Sequence, residues 1–329
     1  MENKADSLAS LRLAMAPGLG PRGARLLREI ALEEARTLDS LLDEPRERLA
    51  AIWRERGGES LAARLDIPSR AQALETAAGL ERIGAGWASP EDSLFPRRLA
   101  GDPWLDPPPA LFWIGDLDLL DSAPTAIGFS GPTAPSRQGR QAARQLARTL
   151  AAEGALAVSG FARGIDWAAH LGALEGGGAT AAMLPMGIAS ADLSARPIRD
   201  ALARGRFVAI SPWRPDAPWR PEYAIRRNAW IAAACDALAV GELTAQSRGT
   251  ANTIGQARRR QRPIWAFEHP PAHAASLANG ELIRSGARSI RVDAEGVPFP
   301  EDVRRELQRI RSPERRESGA CGAQLRFGI

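Results

Sequence analysis

Short apolar runs alternate with amphipathic stretches through most of the chain. The apolar runs predict six strands, at 125–130, 155–158, 180–184, 207–210, 237–240 and 264–267. Helical stretches lie between them at 138–153, 164–175, 194–204, 223–235 and 250–260. Because short strands that are apolar throughout need helices on both faces, the pattern predicts an α/β fold with a doubly wound, mostly parallel sheet. Such sheets bind ligands at the carboxyl ends of their strands, so we expect function in the loops that follow them.

The flanking regions differ from this pattern. Residues 1–80 carry leucines at helical spacing and predict a small N-terminal helical domain, SAM-like or helix-hairpin-helix-like, with a Gly-rich turn at 17–24. That turn either faces a phosphate or is an ordinary helix–helix turn. A Pro-rich connector then leads to a short apolar edge-strand candidate at 110–114. We predict a second domain at 81–295, and a C-terminal helix and tail at 296–329.

Positive charge is concentrated in one segment. Lys4 is the only lysine, and residues 136–262 hold 18 arginines against 9 acidic residues, whereas the whole chain is only +4. A GC-rich genome would explain the large number of arginines without any functional role. The concentration of positive charge in one segment, however, predicts a polyanionic partner. The chain has no apolar run long enough to span a membrane and no signal-peptide pattern near Met1, so we expect a cytoplasmic protein that does not bind a membrane.

The loop after the second predicted strand is the most informative. Gly160 permits a sharp turn, and Gly164 opens a helix whose first N–H groups are unpaired. Arg163, between them, can offer a planar fork to a phosphate. Asp166 either caps the helix or holds Arg163 in place, which makes it a structural support of the site. His170, one turn further along, is either a packed helical histidine or a catalytic base.

Three further clusters follow other strands. They hold the candidate DNA-binding residues Arg137, Arg140, Arg227, Asn228, Arg248 and Gly249. The helix that carries Arg140 can instead present an ordinary solvated face. Trp213, Trp219 and Tyr223 lie near Arg227 in sequence and would suit stacking on single-stranded bases, or they are plain packing.

Motifs for chemistry are missing from the sequence. His170, His269 and His273 are scattered, and none has a Cys, Ser or carboxylate partner at motif spacing. There is no P-loop and no Rossmann Gly-x-Gly-x-x-Gly fingerprint. Cys235 stands in an apolar helical run, which is typical of a buried inert thiol. We therefore expect no catalytic residue, no metal site and no cofactor, and a protein that is not an enzyme.

In order, these loops resemble the DprA/Smf family. Its Ser-Gly-x-Ala-Arg-Gly-Ile-Asp-x-x-Ala-His string matches residues 159–170 in full, and lead-in motifs match from Phe95-Pro96 to Gly115-Asp116. The resemblance implies an extended Rossmann-like fold, dimerisation, and cooperative binding of single-stranded DNA that is passed to the recombinase RecA during natural transformation (competence), without turnover. It implies that Gly160, Arg163, Gly164 and Arg227 line the DNA groove.

The chain also departs from the family pattern. Gly131-Pro132-Thr133 replaces a Gly-Ser-Arg motif, so a phosphate-binding arginine is missing and Arg137 is its candidate replacement. Ala229 stands where a second arginine of an Arg-Asn-Arg motif would be. The family's C-terminal winged-helix domain is not expected here.

Three functions therefore remain open. The first is a single-stranded DNA binder that mediates recombination. The second is a divergent paralogue that senses a nucleotide or a protein partner, because the departures cluster at DNA contacts. The third, a nucleotide phosphoribohydrolase, is the weakest, because Thr253 occupies the position of that family's glutamate.

Overall fold

The computed structural model describes residues 4–56, 66–244, 247–271 and 273–312. Its strands are β1 (Ala85–Ala88), β2 (Leu111–Gly115), β3 (Ala126–Ser130), β4 (Leu156–Ser159), β5 (Thr180–Met183), β6 (Phe207–Ser211), β7 (Ala237–Val240), β8 (Ile264–Glu268) and β9 (Arg288–Arg291). The six predicted strands correspond to β3–β8, each within one residue at either end. The predicted α/β class is confirmed.

The described helices agree with the prediction less closely at their ends. They are α1 (Lys4–Met15), α2 (Pro21–Glu33), α3 (Leu38–Leu42), α4 (Arg46–Glu55), α5 (Arg70–Arg82), α6 (Arg97–Ala100), α7 (Leu119–Ser122), α8 (Arg137–Ala152), α9 (Ile165–Glu175), α10 (Arg196–Ala203), α11 (Pro221–Ala234), α12 (Arg248–Arg259), α13 (Ser276–Arg284) and α14 (Pro300–Arg311). Among these described helices, none is long and apolar enough to cross a membrane. Most of the predicted tail, from residue 313 onward, lies outside the described residues.

The chain divides into two compact units. The first comprises Met1–Asp118, Leu184–Ala195 and Val208–Ala224, and the second comprises Leu119–Met183, Arg196–Phe207 and Ile225–Ile329. The domain boundaries expected at residues 80 and 295 stay a prediction.

In the first unit, the N-terminal helices share an apolar core that includes Leu13, Leu27, Leu41 and Trp53. Strand β2 pairs with β1 on one side and with β6 on the other, both antiparallel. The prediction of an edge strand at 110–114 is therefore wrong. The sequence pattern did not reveal β1, which is short and contains a glycine.

The second unit holds the parallel part of the fold. Its strands are ordered β5-β4-β3-β7-β8-β9, and each described pair is parallel. Phe129, Trp265 and Phe267 fill a core with the apolar faces of α8 and α9. Because β3 is followed by β4 on one side and lies beside β7 on the other, the strand order reverses between β3 and β7. In sheets of this kind that reversal marks the usual ligand crevice.

Candidate nucleic-acid interface

Four arginines lie at the start of helices or in turns that follow the parallel strands. We call Arg137, Arg140, Arg163 and Arg248 the carboxyl-edge arginines; they follow β3, β4 and β7. All four are exposed, and none of their side chains has a hydrogen bond or ion pair within the described residues. Since a guanidinium stays protonated at any ordinary pH, these charges are available to an external anion.

A groove brings two of these arginines together. It has a volume of about 420 Å³ and is lined by Thr133, Arg140, Arg144, Arg163, Gly164, Trp167, Ala168 and Leu171. Arg144 is neutralised there, because its Nε donates to Glu175 at 2.8 Å. Trp167 is half-buried and meets Phe161 edge to face at 5.6 Å. An aromatic wall beside free arginines can hold a base and its phosphate together.

Asp166 supports the loop after β4. Its Oδ2 accepts hydrogen bonds from the amides of Gly160 at 3.0 Å and Ala162 at 3.4 Å, and lies 3.9 Å from Nη1 of Arg227. Arg227 also donates to the carbonyl of Met183 at 3.2 Å. Burial raises the pKa of the Asp166 carboxyl and lowers the pKa of the Arg227 guanidinium. Asp166 therefore holds the turn directly, through the amides of Gly160 and Ala162, and its charged partner is Arg227. The interpretation that it holds Arg163 is wrong.

Arg227 lies beneath the edge. The residue is only 5 % exposed, so in this structure it does not present a charge to a ligand. The resemblance had implied that Arg227 lines the DNA groove. A Cβ on Gly160 would stand 1.2 Å from Nη1 of Arg227. Gly160 is therefore required by the guanidinium that packs on it. Gly164 has φ +85°, and a Cβ there would meet the carbonyl oxygen of Pro132 at 2.3 Å. Both glycines shape the loop that carries Arg163.

Asn228 also has a supporting position. It is 6 % exposed, and its Nδ2 donates to the carbonyl of Gly249 at 3.1 Å and to Oδ1 of Asn252 at 3.2 Å. These bonds fix the first turn of α12, where Arg248 and Gly249 are exposed. Arg226 is exposed as well, but it already has an interaction within the protein.

The histidines are not isolated. Nε2 of His273 lies 3.1 Å from Oε1 of Glu242 and 3.1 Å from Oγ of Ser136, two partners distant in sequence that motif spacing did not reveal. Glu242 also accepts a hydrogen bond from the amide of Ser136 at 2.7 Å, and Ser136 Oγ donates to its other oxygen. This carboxylate thereby fills the N-terminus of α8, where an α/β protein would otherwise hold a phosphate.

His269 completes this group. Its ring stacks on that of His273 with centroids 4.0 Å apart, and neither of its ring nitrogens has a hydrogen-bond partner among the described residues. Burial, with His273 nearby, lowers the pKa of His269 to about 4. Three residues that sequence motifs did not connect thus meet at the reversal point. A signal existed, because Glu242 and His269 each follow a predicted strand closely.

His170 is a packed side chain. It is fully buried, its Nδ1 lies 2.7 Å from Oγ1 of Thr180, and burial lowers its pKa to about 3. Cys235 is buried too, as expected.

A mostly parallel α/β sheet with exposed arginines in the loops after its strands defines the class: an extended Rossmann-like protein. The family of DNA recombination-mediator protein A matches residues 87–297, more than half of the chain. The chain therefore belongs to this family, DprA/Smf.

Sequence similarity to a single relative is partial. The DNA processing protein DprA of Streptococcus pneumoniae is 31 % identical over 188 residues, which are 56 % of this chain and 64 % of that protein. The chain thus matches less than two thirds of that relative's length.

Two solved structures share the fold. The X-ray structure of DprA from Streptococcus pneumoniae aligns with a TM-score of 0.64 at 22 % identity, over 93 % of this chain and 99 % of that one. DNA processing protein A from Helicobacter pylori, whose structure concerns its single-stranded DNA binding mode, aligns with a TM-score of 0.55 at 22 % identity. That alignment covers 68 % of this chain and 96 % of the other.

Proposed function

We propose that this chain binds single-stranded DNA along its carboxyl edge and acts as a recombination mediator in natural transformation, without catalysing a reaction. The observation that carries the proposal is the set of four exposed carboxyl-edge arginines whose side chains are free within the described part of the chain. The half-buried Trp167 beside Arg140 and Arg163 favours unpaired bases, which have an accessible face to stack on. The single-stranded DNA binding mode of the Helicobacter pylori protein agrees with this choice.

The roles of the predicted residues follow from their positions. Arg163 and Arg140 contact phosphate across the groove, Arg137 and Arg248 extend the contact along the edge, and Gly249 lets the strand approach α12. Gly160, Gly164, Arg227, Asn228 and Asp166 act indirectly, by holding the loops. RecA as the receiving partner and a homodimer as the working form belong to the same proposal; sedimentation with and without RecA tests both.

The competing functions fit the geometry less well. A nucleotide sensor would use the helix N-terminus at the strand reversal, but the carboxylate of Glu242 already fills that position at α8. A phosphoribohydrolase would need its glutamate where Thr253 donates to the carbonyl of Gly249. Incubation with nucleoside monophosphates should release no free base, and release in proportion to protein would contradict the non-enzymatic proposal.

The main experiment compares Arg163→Ala with Arg148→Ala. Both arginines are exposed, but Arg148 lies eleven residues beyond Arg137 in α8, about 16 Å away along the helix. We expect Arg163→Ala to weaken binding of labelled oligo-dT by about tenfold to a hundredfold, because a charge-assisted hydrogen bond contributes roughly 1.5–3 kcal/mol. Arg148→Ala should change it less than twofold.

A salt series makes the test specific. Each phosphate contact adds about −0.7 to the slope of log K against log salt for single strands, so Arg163→Ala should reduce the slope by about that amount. Melting temperatures should be unchanged in both variants. Equal affinity for duplex and oligo-dT, or equal effects of the two substitutions, would refute the assigned interface.

A further inference from the structure

The cluster at the strand reversal combines two imidazoles and a carboxylate. Ligand atoms of Glu242, His269 and His273 all lie within 4.8 Å of one another, and Glu242 and His269 are buried. They come from the loops after β7 and β8, and Ser136 joins them from the loop after β3 through its bond to Glu242. Two histidines and one carboxylate are a common ligand set for Zn²⁺.

We propose that Glu242, His269 and His273 form a binding site for a divalent transition metal, with Zn²⁺ as the preferred ion. None of the three ligands is a proposed DNA contact, and the proposal does not depend on DNA binding. Imidazole nitrogen with carboxylate oxygen suits Zn²⁺ better than Mg²⁺ or Ca²⁺, which prefer oxygen alone. The ion would fasten the three loops together where the sheet order reverses.

His269 supplies the independent observation. It is 5 % exposed, yet both of its ring nitrogens lack a hydrogen-bond partner among the described residues. A buried polar group without a partner is costly in free energy, and a bound ion is one of the few arrangements that removes the cost. The hydrogen-bonding capacity of Glu242 and Ser136 is used within the cluster, which leaves the imidazole of His269 as its unsatisfied member.

Geometry and access are compatible with metal binding. Ligand atoms around a tetrahedral Zn²⁺ with bonds of about 2.0–2.1 Å lie about 3.4 Å apart. Closing the site therefore takes side-chain shifts of about 1 Å together with rotation of the two imidazole rings, which are stacked nearly parallel. A cavity of about 210 Å³, lined by Gln138, His269, Pro270, His273, Asp293 and Ala294, gives the ion a route and leaves room for a water ligand.

One proton must move when the metal binds. Nδ1 of His273 accepts from the amide of Ala275 at 3.1 Å, so the ring proton is on Nε2, which faces Glu242. Coordination through Nε2 transfers that proton to Nδ1 by way of solvent, and the Ala275 hydrogen bond is lost. No electron is transferred and no other bond changes.

The experiment uses untagged full-length protein stripped with EDTA and then dialysed against a zinc buffer. His269→Leu removes a proposed ligand, and Glu268→Gln is the matched control, because it changes the exposed neighbouring residue outside the cluster. We expect one equivalent of Zn²⁺ in the wild type and the control, and none at the cluster in His269→Leu. With free Zn²⁺ at a hundredfold excess over Kd, the melting temperature of the wild type should rise by roughly 5 °C.

A second readout separates ligand loss from misfolding. In EDTA, His269→Leu should melt at or above the wild-type temperature, because the imidazole it removes makes no hydrogen bond. His273→Gln is the second variant and should also fail to bind. Wild-type protein that retains no zinc, or histidine variants that bind as much zinc as the wild type, would overturn the proposal.

Discussion

The carboxyl edge and the C-terminal end of the second unit both carry several arginines, but in the part of the chain that the structure describes these are unpaired at the first and ion-paired at the second. At the carboxyl edge, Arg137, Arg140, Arg163 and Arg248 have no partner within the described chain. At the C-terminal end, Arg288 and Arg309 each donate to Glu306 at 2.7 Å. Arg291 and Arg305 in turn bond Asp302 at 2.8 and 2.9 Å. We call this second group, with its two acids, the C-terminal arginine network.

The number of arginines in a region is therefore a poor guide to where a polyanion binds. The chain has 42 arginines in all, and many of them form ion pairs with nearby carboxylates. Asp302 and Glu306 are buried in α14, so each neutralises arginines that lie over it. Positive charge attracts an external phosphate most strongly where no internal carboxylate competes for it.

The largest effect is expected at Asp166, where both partners of the ion pair are buried. Asp166→Ala should lower the free energy of unfolding by about 3–5 kcal/mol, because it leaves the Arg227 guanidinium, whose side chain is 7 % exposed, without its carboxylate. Asp200→Ala removes an exposed partner of Arg196 and should cost less than about 0.5 kcal/mol. Urea unfolding measures both. Similar small losses would show that burial of the pair contributes little.

The next effect tests the comparison directly. Arg140→Ala should weaken oligo-dT binding by about tenfold or more, because it removes a free charge from the groove. Arg288→Ala removes an arginine that Glu306 already neutralises, so we expect affinity within twofold of the wild type. Fluorescence anisotropy at fixed salt measures both. If Arg288→Ala weakens binding as much as Arg140→Ala, the presence of an internal carboxylate partner does not decide which arginines bind DNA.

The smallest effect concerns pH. Burial opposes ionisation of Asp302, but the hydrogen bonds from Arg291 outweigh it, so the pKa of this carboxyl is lowered from its usual 3.8. The stability that the ionised group contributes is therefore complete above pH 3.8 and is lost as pH falls through the lower folded-state pKa.

The stability gap between wild type and Asp302→Ala should consequently stay constant from pH 7 to about pH 5 and shrink only in stronger acid. Its size should be about 1.5 kcal/mol, since Arg291 is 49 % exposed and returns to water when its partner is removed. A gap that already narrows near neutral pH would contradict the lowered pKa.

The sequence predicted the fold well because apolar periodicity is local information. Strands β3–β8 are buried along their length except at Glu268, the last residue of β8, so their apolar composition identified them. Strands β1 and β9 escaped notice because β1 contains Gly86 and β9 begins and ends with arginine. The pattern of a short, half-buried strand does not differ enough from that of a loop.

The sequence predicted the position of the exposed arginine in the candidate site but not the burial of the residues beneath it. Exposed Arg163 was placed correctly at a strand end, since its flanking glycines mark a turn. Burial of Arg227 was not predictable, because its place depends on Gly160, which is 67 residues earlier in the chain. Motif spacing could not reveal the cluster of Glu242, His269, His273 and Ser136 for the same reason, because its members come from three loops that are distant in sequence.

The packing of Arg227 on Gly160 also constrains the order in which substitutions at these two positions can be tolerated. Gly160→Ala alone puts a methyl group into the space of the guanidinium, whereas Arg227→Leu first opens that space. After that change the carboxyl of Asp166, whose pKa burial already raises, is closer to taking up a proton than an exposed aspartate would be. Variation at position 160 is therefore accessible by a path through position 227, and the reverse path begins with a steric collision.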